Sequence, residues 1–178
     1  VTRHTVTRIA QAALALLGVA AAASCRDRAP DTPATTVVQF YTMLDALGVH
    51  AIPEQTALTS LRPFVADSLA SLLDAARQLR DSSAKAMPDE KPPFADGDPF
   101  SSLFEGRSTW TPAKTITVGD TALVVTTFTY AATPPTVTWS DTVVVTREHE
   151  RFVVADIRYG TNWDFGFRGR LRELLAAR

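Results

Sequence analysis

Two short stretches hold the side chains best able to do chemistry. "TVTWSDTVVVTRE" carries Trp139 and Asp141, and "RFVVADIRYG" carries Asp156, Arg158 and Tyr159. Strand alternation puts residues i and i+2 on one face. Val137, Trp139, Asp141, Val143 and Val145 then share a face of one strand. Phe152, Val154, Asp156 and Arg158 share a face of the next, with Val153, Ala155, Ile157 and Tyr159 opposite. If register brings the two polar faces together, one aromatic ring, two carboxylates and a guanidinium line one patch. A carboxylate in an apolar cavity has its pKa raised and can act as general acid or base. Asp141, Asp156 and Tyr159 are therefore the candidate catalytic groups, with Trp139 and Arg158 as ligand contacts. The plainer alternative, and the commoner one, is an Asp–Arg ion pair on a sheet face.

Two aromatic stretches add candidates. In "DPFSSLFEG", Phe100, Leu103 and Phe104 fall at helical spacing on one apolar side, and Asp98 or Ser101 could cap that turn. Glu105 could pair with Arg107 or reach Arg158. This segment reads as a plug closing one end of the fold, or as a lid over a ligand, with Phe100 and Glu105 as its contacts. In "NWDFGF", Trp163, Phe165 and Phe167 crowd around Asp164, which suits closure of the core better than an exposed binding patch.

Other chemistries lack their residues. His4, His50 and His149 are scattered and Cys25 is the single cysteine, so no metal-ligand spacing exists. There is no glycine-rich phosphate loop and no nucleophile elbow, and nothing calls for a cofactor. The net charge is −1; without Arg3 and Arg8, 16 basic residues face 19 acidic ones, a net −3. A weakly acidic domain is a poor phosphate binder, which argues against nucleic acid as partner.

The elements that must position these groups change character along the chain. Val37, Val38, Phe40, Tyr41, Leu44 and Leu47 mark a helix over residues 35–47 that stops at Gly48. "TALTSLRPF" predicts a short helical turn interrupted at Pro63. Asp67 should cap a longer helix with Leu69, Leu72, Leu73, Ala76 and Leu79 on one face, ending by Met87-Pro88. Residues 88–99, rich in proline, form a loop. The period then switches to two. "STWTPAKTITV", "TALVVTTFTY", "TVTWSDTVVVTRE" and "RFVVADIRYG" read as four strands joined by short turns, and "GRLRELLAAR" as a closing helix. Helices followed by an antiparallel meander predict an α+β domain over residues 35–178, helices packed on one sheet face.

The first residues give an address. Arg3, His4 and Arg8 precede the apolar run Ile9–Ala23, broken only by Gln11. That run is shorter than the roughly 20 residues a spanning helix needs. Basic start, apolar middle and small residues describe a secretory signal peptide over residues 1–24. Ala22, Ala23 and Ser24 followed by Cys25 resemble a bacterial lipobox, with Ala22 where leucine is usual. The resemblance implies lipidation at Cys25: diacylglycerol on its sulfur, cleavage after Ser24, and acylation of the new amino group. The membrane is then a partner through that lipid. Residues 25–34 read as the lipidated cysteine and a polar tether. By resemblance to enterobacterial lipoprotein sorting, Arg26 rather than aspartate after the cysteine implies the periplasmic face of the outer membrane.

The order of helices and meander resembles the nuclear-transport-factor-2-like (cystatin-like) cone. "DGDPFSSLFEG", "TWSDTVVVTRE", "FVVADIRYG" and "WDFG" together resemble a family of bacterial envelope lipoproteins known as domain of unknown function 3828. The resemblance spans about residues 35–176 and implies the cone, an envelope location and no established reaction. By analogy with such cones, two copies would pair through their sheets as a homodimer. Three functions follow. The chain is a non-enzymatic binding or accessory module for an envelope protein or small ligand. Alternatively it is a cone-fold isomerase, hydrolase or dehydratase using Asp141 and Asp156. The third option is a passive lipoprotein whose surface matters more than any pocket.

Overall fold

A computed structural model describes residues 31–161 and 163–177. The expected signal peptide, Cys25 and most of the tether lie outside the described residues. Helices come first: α1 (Pro33–Ala46), α2 (Gln55–Leu61) running into a 3-10 turn (Arg62–Phe64), and α3 (Asp67–Ala86). Four strands follow, β1 (Thr109–Val118), β2 (Thr121–Tyr130), β3 (Val137–Glu148) and β4 (Arg151–Arg158), then α4 (Leu171–Ala176). The strands form one antiparallel sheet in chain order, β1-β2-β3-β4. The domain is α+β, with its N-terminal helices packed on a four-stranded meander, as the change of period predicts. Among the described residues no helix is long and apolar enough to cross a membrane.

Helix α1 begins earlier than residue 35, because Thr32 caps it. The Thr32 Oγ1 accepts the Thr35 N–H at 3.1 Å, and Pro33 occupies the first turn, where its missing N–H costs nothing. Its face of Val37, Phe40, Tyr41 and Leu44 is fully buried against the sheet. Tyr41 sits edge-on to Phe128 of β2 at 5.4 Å and beside Trp110 of β1, also at 5.4 Å. Helix α3 buries Leu69, Ala70, Leu73 and Ala76. Asp67 is its first residue rather than its cap, and the Asp67 N–H donates instead to Glu148 Oε2.

Two bulges decide what faces what. Ala113 is the extra residue of β1, and Ala155 that of β4. Before Ala155, Val154 lies opposite Val145 on the helix-covered face. After it, Ile157 lies opposite Val143 on that face, so Asp156 and Arg158 turn to the other side with Val144 and Thr142. The expected grouping of Asp156 and Arg158 with Phe152, Val154, Trp139 and Asp141 is therefore corrected. One inserted residue reverses the parity of a strand.

The hairpin turns differ in chemistry. Gly119 meets its positive φ of 59° at no steric cost. His149 and Glu150 adopt φ of 49° and 63° without any glycine. Two successive positive φ values make a type I′ turn, which Asn-Gly would fill without strain.

Candidate functional site

The helix-covered face of β3 and the end of β4 bring Trp139, Asp141 and Tyr159 together, and the segment Asp98–Arg107 lies across them. This plug has no regular helix, contrary to the spacing of Phe100, Leu103 and Phe104. Phe100 is fully buried and edge-on to Phe40 at 5.7 Å, whereas Phe104 is exposed and rests on Phe167. The plug is held by polar contacts to its backbone. Tyr41 Oη donates to the Phe100 carbonyl at 2.8 Å, and Tyr159 Oη to the Pro99 carbonyl at 2.7 Å. The Ser102 N–H donates to Asp141 Oδ2 at 2.7 Å, and the Phe167 N–H to the Ser102 carbonyl at 2.9 Å.

Asp141 is 1% exposed and fully engaged. Its Oδ1 accepts the Gly160 N–H at 2.8 Å, and its Oδ2 also faces Trp139 Nε1 at 3.2 Å. Burial raises its pKa, and the hydrogen bonds from Gly160, Ser102 and Trp139 oppose that shift. Burial also pushes both tyrosine hydroxyls upward, with the neighbouring carboxylates adding to the shift. Gly160 is needed where it stands, since a Cβ there would lie 2.0 Å from the Ser140 carbonyl oxygen. Trp139 stacks on Phe128, and half-buried Trp163 meets it edge-on at 6.2 Å. Phe167 packs on Tyr159, but Phe165 is 83% exposed, so the expected aromatic closure involves two of its three rings.

A second cluster pins the same plug. Arg107 Nη1 donates to Asp98 Oδ2 at 2.6 Å, and its Nη2 to Asp45 Oδ1 at 2.9 Å. Its guanidinium lies 4.9 Å from the Tyr41 ring centre. Asp45 also accepts from Trp110 Nε1 at 2.6 Å. Asp98 Oδ1 accepts the Phe100 N–H, and His50 Nδ1 stands 3.7 Å from Asp98 Oδ2. Burial raises the Asp98 pKa, and Arg107 pulls against it. Glu105, expected to pair with Arg107 or Arg158, is exposed and makes no ion pair among the described residues.

The remaining candidates separate. Asp156 Oδ1 accepts the Ile157 N–H at 2.9 Å and the Arg172 N–H at 3.1 Å, so it caps the start of α4 from outside that helix. Its nearest cation is Arg170 at 3.6 Å, not Arg158. Arg158 is exposed and bridges through its backbone to Arg170.

A groove of about 550 Å³ lies elsewhere, between the first turns of α1, the 3-10 turn and the His149–Glu150 turn. Asp31, Gln39, Phe64, Glu150 and Arg151 are among its lining residues. Sequence reading missed it. The one available signal was "HE" filling a tight turn without glycine. No protein-family model matches the chain, and neither a curated protein nor a solved structure matches it.

Proposed function

We propose that this chain is a lipid-anchored protein of the bacterial envelope. It is held through Cys25 at the periplasmic face of the outer membrane and works as a binding or accessory module from its surface. The reading takes in the resemblance to the envelope lipoproteins and their cone. The observation that carries it is the commitment of the candidate catalytic groups. Asp141 and Tyr159 are spent on backbone N–H and carbonyl groups of the plug and Gly160, and Asp156 engages the start of α4 through Oδ1 while its Oδ2 faces Arg170 at 3.6 Å. A general acid or base needs a free face within hydrogen-bond reach of a substrate. The groove, by contrast, opens beside Asp31, six residues from Cys25.

Two measurements test the reading. Mass spectrometry of the envelope-extracted protein should find acyl mass on Cys25, and Cys25→Ser should release the chain from the membrane fraction. Unmodified Cys25 would end the anchor. If the chain is instead an enzyme, Tyr159→Phe and Asp141→Asn should abolish its cellular role even where folded protein persists. A surface module predicts that they reduce that role only as far as they reduce folded protein.

A further inference from the structure

The groove carries both signs of charge. Asp31 and Glu150 supply carboxylates, and Arg151 supplies a guanidinium. Among the described residues Glu150 and Arg151 make no side-chain ion pair, and Asp31 Oδ1 accepts the long Phe152 N–H at 3.4 Å. The neighbouring charges are already engaged. Arg147 lies over the Phe152 ring at 4.3 Å and donates to the Glu150 carbonyl. Glu148 accepts the Asp67 N–H, and His149, which also lines the groove, faces Asp67 at 3.5 Å. A purely anionic ligand would meet two carboxylates, and a purely cationic one would meet Arg151. A ligand with a primary ammonium and a phosphodiester a few bonds apart would satisfy both. A quaternary ammonium would suit less, because it offers no N–H to the carboxylates.

The turn that presents these side chains is strained. His149 and Glu150 hold positive φ in a I′ turn that Asn-Gly would fill freely. Such outliers persist when the surrounding structure over-determines them, and they cluster at catalytic and ligand-binding sites.

We propose that this groove binds the headgroup of a bilayer phospholipid carrying a primary ammonium and a phosphodiester. The source rests on the lipid-anchored reading. Asp31 lines the groove, and the six steps from Cys25 to Asp31 at full extension reach no more than about 22 Å, so an anchor at Cys25 holds the groove near the headgroups. Glu150 and Asp31 take the ammonium, and Arg151 takes the phosphate.

The test uses the chain from residue 25 carrying Cys25→Ser, so that no attached lipid contributes. Its co-sedimentation is compared on vesicles of phosphatidylcholine alone, with added phosphatidylethanolamine, and with added phosphatidylglycerol. Soluble glycerophosphoethanolamine serves as competitor. The ethanolamine vesicles should bind at least about fivefold better than the other two, and Glu150→Gln or Arg151→Gln should each remove most of that preference. The double change His149→Asn with Glu150→Gly should raise Tm by about 3 °C while abolishing the preference. Equal binding to all three vesicles would overturn the proposal. So would a preference for phosphatidylglycerol, which would mean the surface reads negative charge alone. A soluble competitor bound as tightly as the vesicles would make the ligand a free phosphoethanolamine and overturn the bilayer source. A double variant that keeps the preference would remove the role of Glu150. Failure of the anchor shows separately, as unmodified Cys25 in the wild-type chain.

Discussion

Replacing Arg107 with methionine would leave Asp98 as a buried carboxylate facing only His50 and the Phe100 N–H. Removing one partner of a buried pair costs about 3–5 kcal/mol, and chemical denaturation of Arg107→Met should read a loss of that size at neutral pH. The loss should shrink in acid, where Asp98 takes up a proton and its burial stops being penalised. The wild-type domain carries the same sign in milder form. Asp98 and Asp141 have folded pKa values raised above the ordinary 3.8, so the folded chain binds more protons than the unfolded chain between 3.8 and those raised values. Their contribution to stability is fully present below 3.8 and is lost as pH rises through the raised values. Thermal melts should therefore show a gain from these two groups on mild acidification, and Asp141→Asn should diminish it. Tyr41→Phe should cost about 1–3 kcal/mol, since the buried Phe100 carbonyl loses its donor.

At the scale of elements, the bulge at Ala155 does the sorting. It sends Ile157 and Tyr159 to the covered face and Asp156 to the start of α4. Deleting Ala155 would remove only the extra residue: Asp156 stays opposite Val144 and Ile157 opposite Val143, so the folded domain should persist with a modest loss in its melt. Gly160→Ala should be severe, on the order of 3 kcal/mol or more, because the contact is with backbone that cannot move aside. Circular dichroism melts would measure it. The strands, their turns and the helices α1 and α3 were legible in the sequence because period and punctuation are local. The shared face of Trp139 and Asp141 was legible for the same reason. The bulge was not, since nothing in "VVADIR" marks which residue is extra. The plug's helical spacing misled, because Asp98, Asp141 and two tyrosines from distant elements supply its backbone partners in place of a helix. The mixed-charge groove was invisible because it joins Asp31 to residues more than a hundred positions away.

At the scale of the whole molecule, both edges of the sheet are managed. β1 carries Pro112 and a bulge, which spoil an intruding strand. β4 is covered on either side of Ala155. Val65 and Ala66 pair with Val154, and Gly169 and Arg170 pair with Tyr159 and Arg158. The domain should accordingly stay free of strand-mediated aggregation at high concentration, which light scattering would check. The strand order also has a kinetic consequence. Each strand pairs with the next along the chain, so the meander can form through short loops. The plug cannot, because Tyr41 and Phe100 are 59 residues apart and Asp45 and Arg107 are 62 apart. Such closures cost more loop entropy than the hairpins do. Hydrogen exchange should then find the Ser102 and Gly160 amides opening together, ahead of β2 and β3. The piece that seals the interior should then be the first to leave.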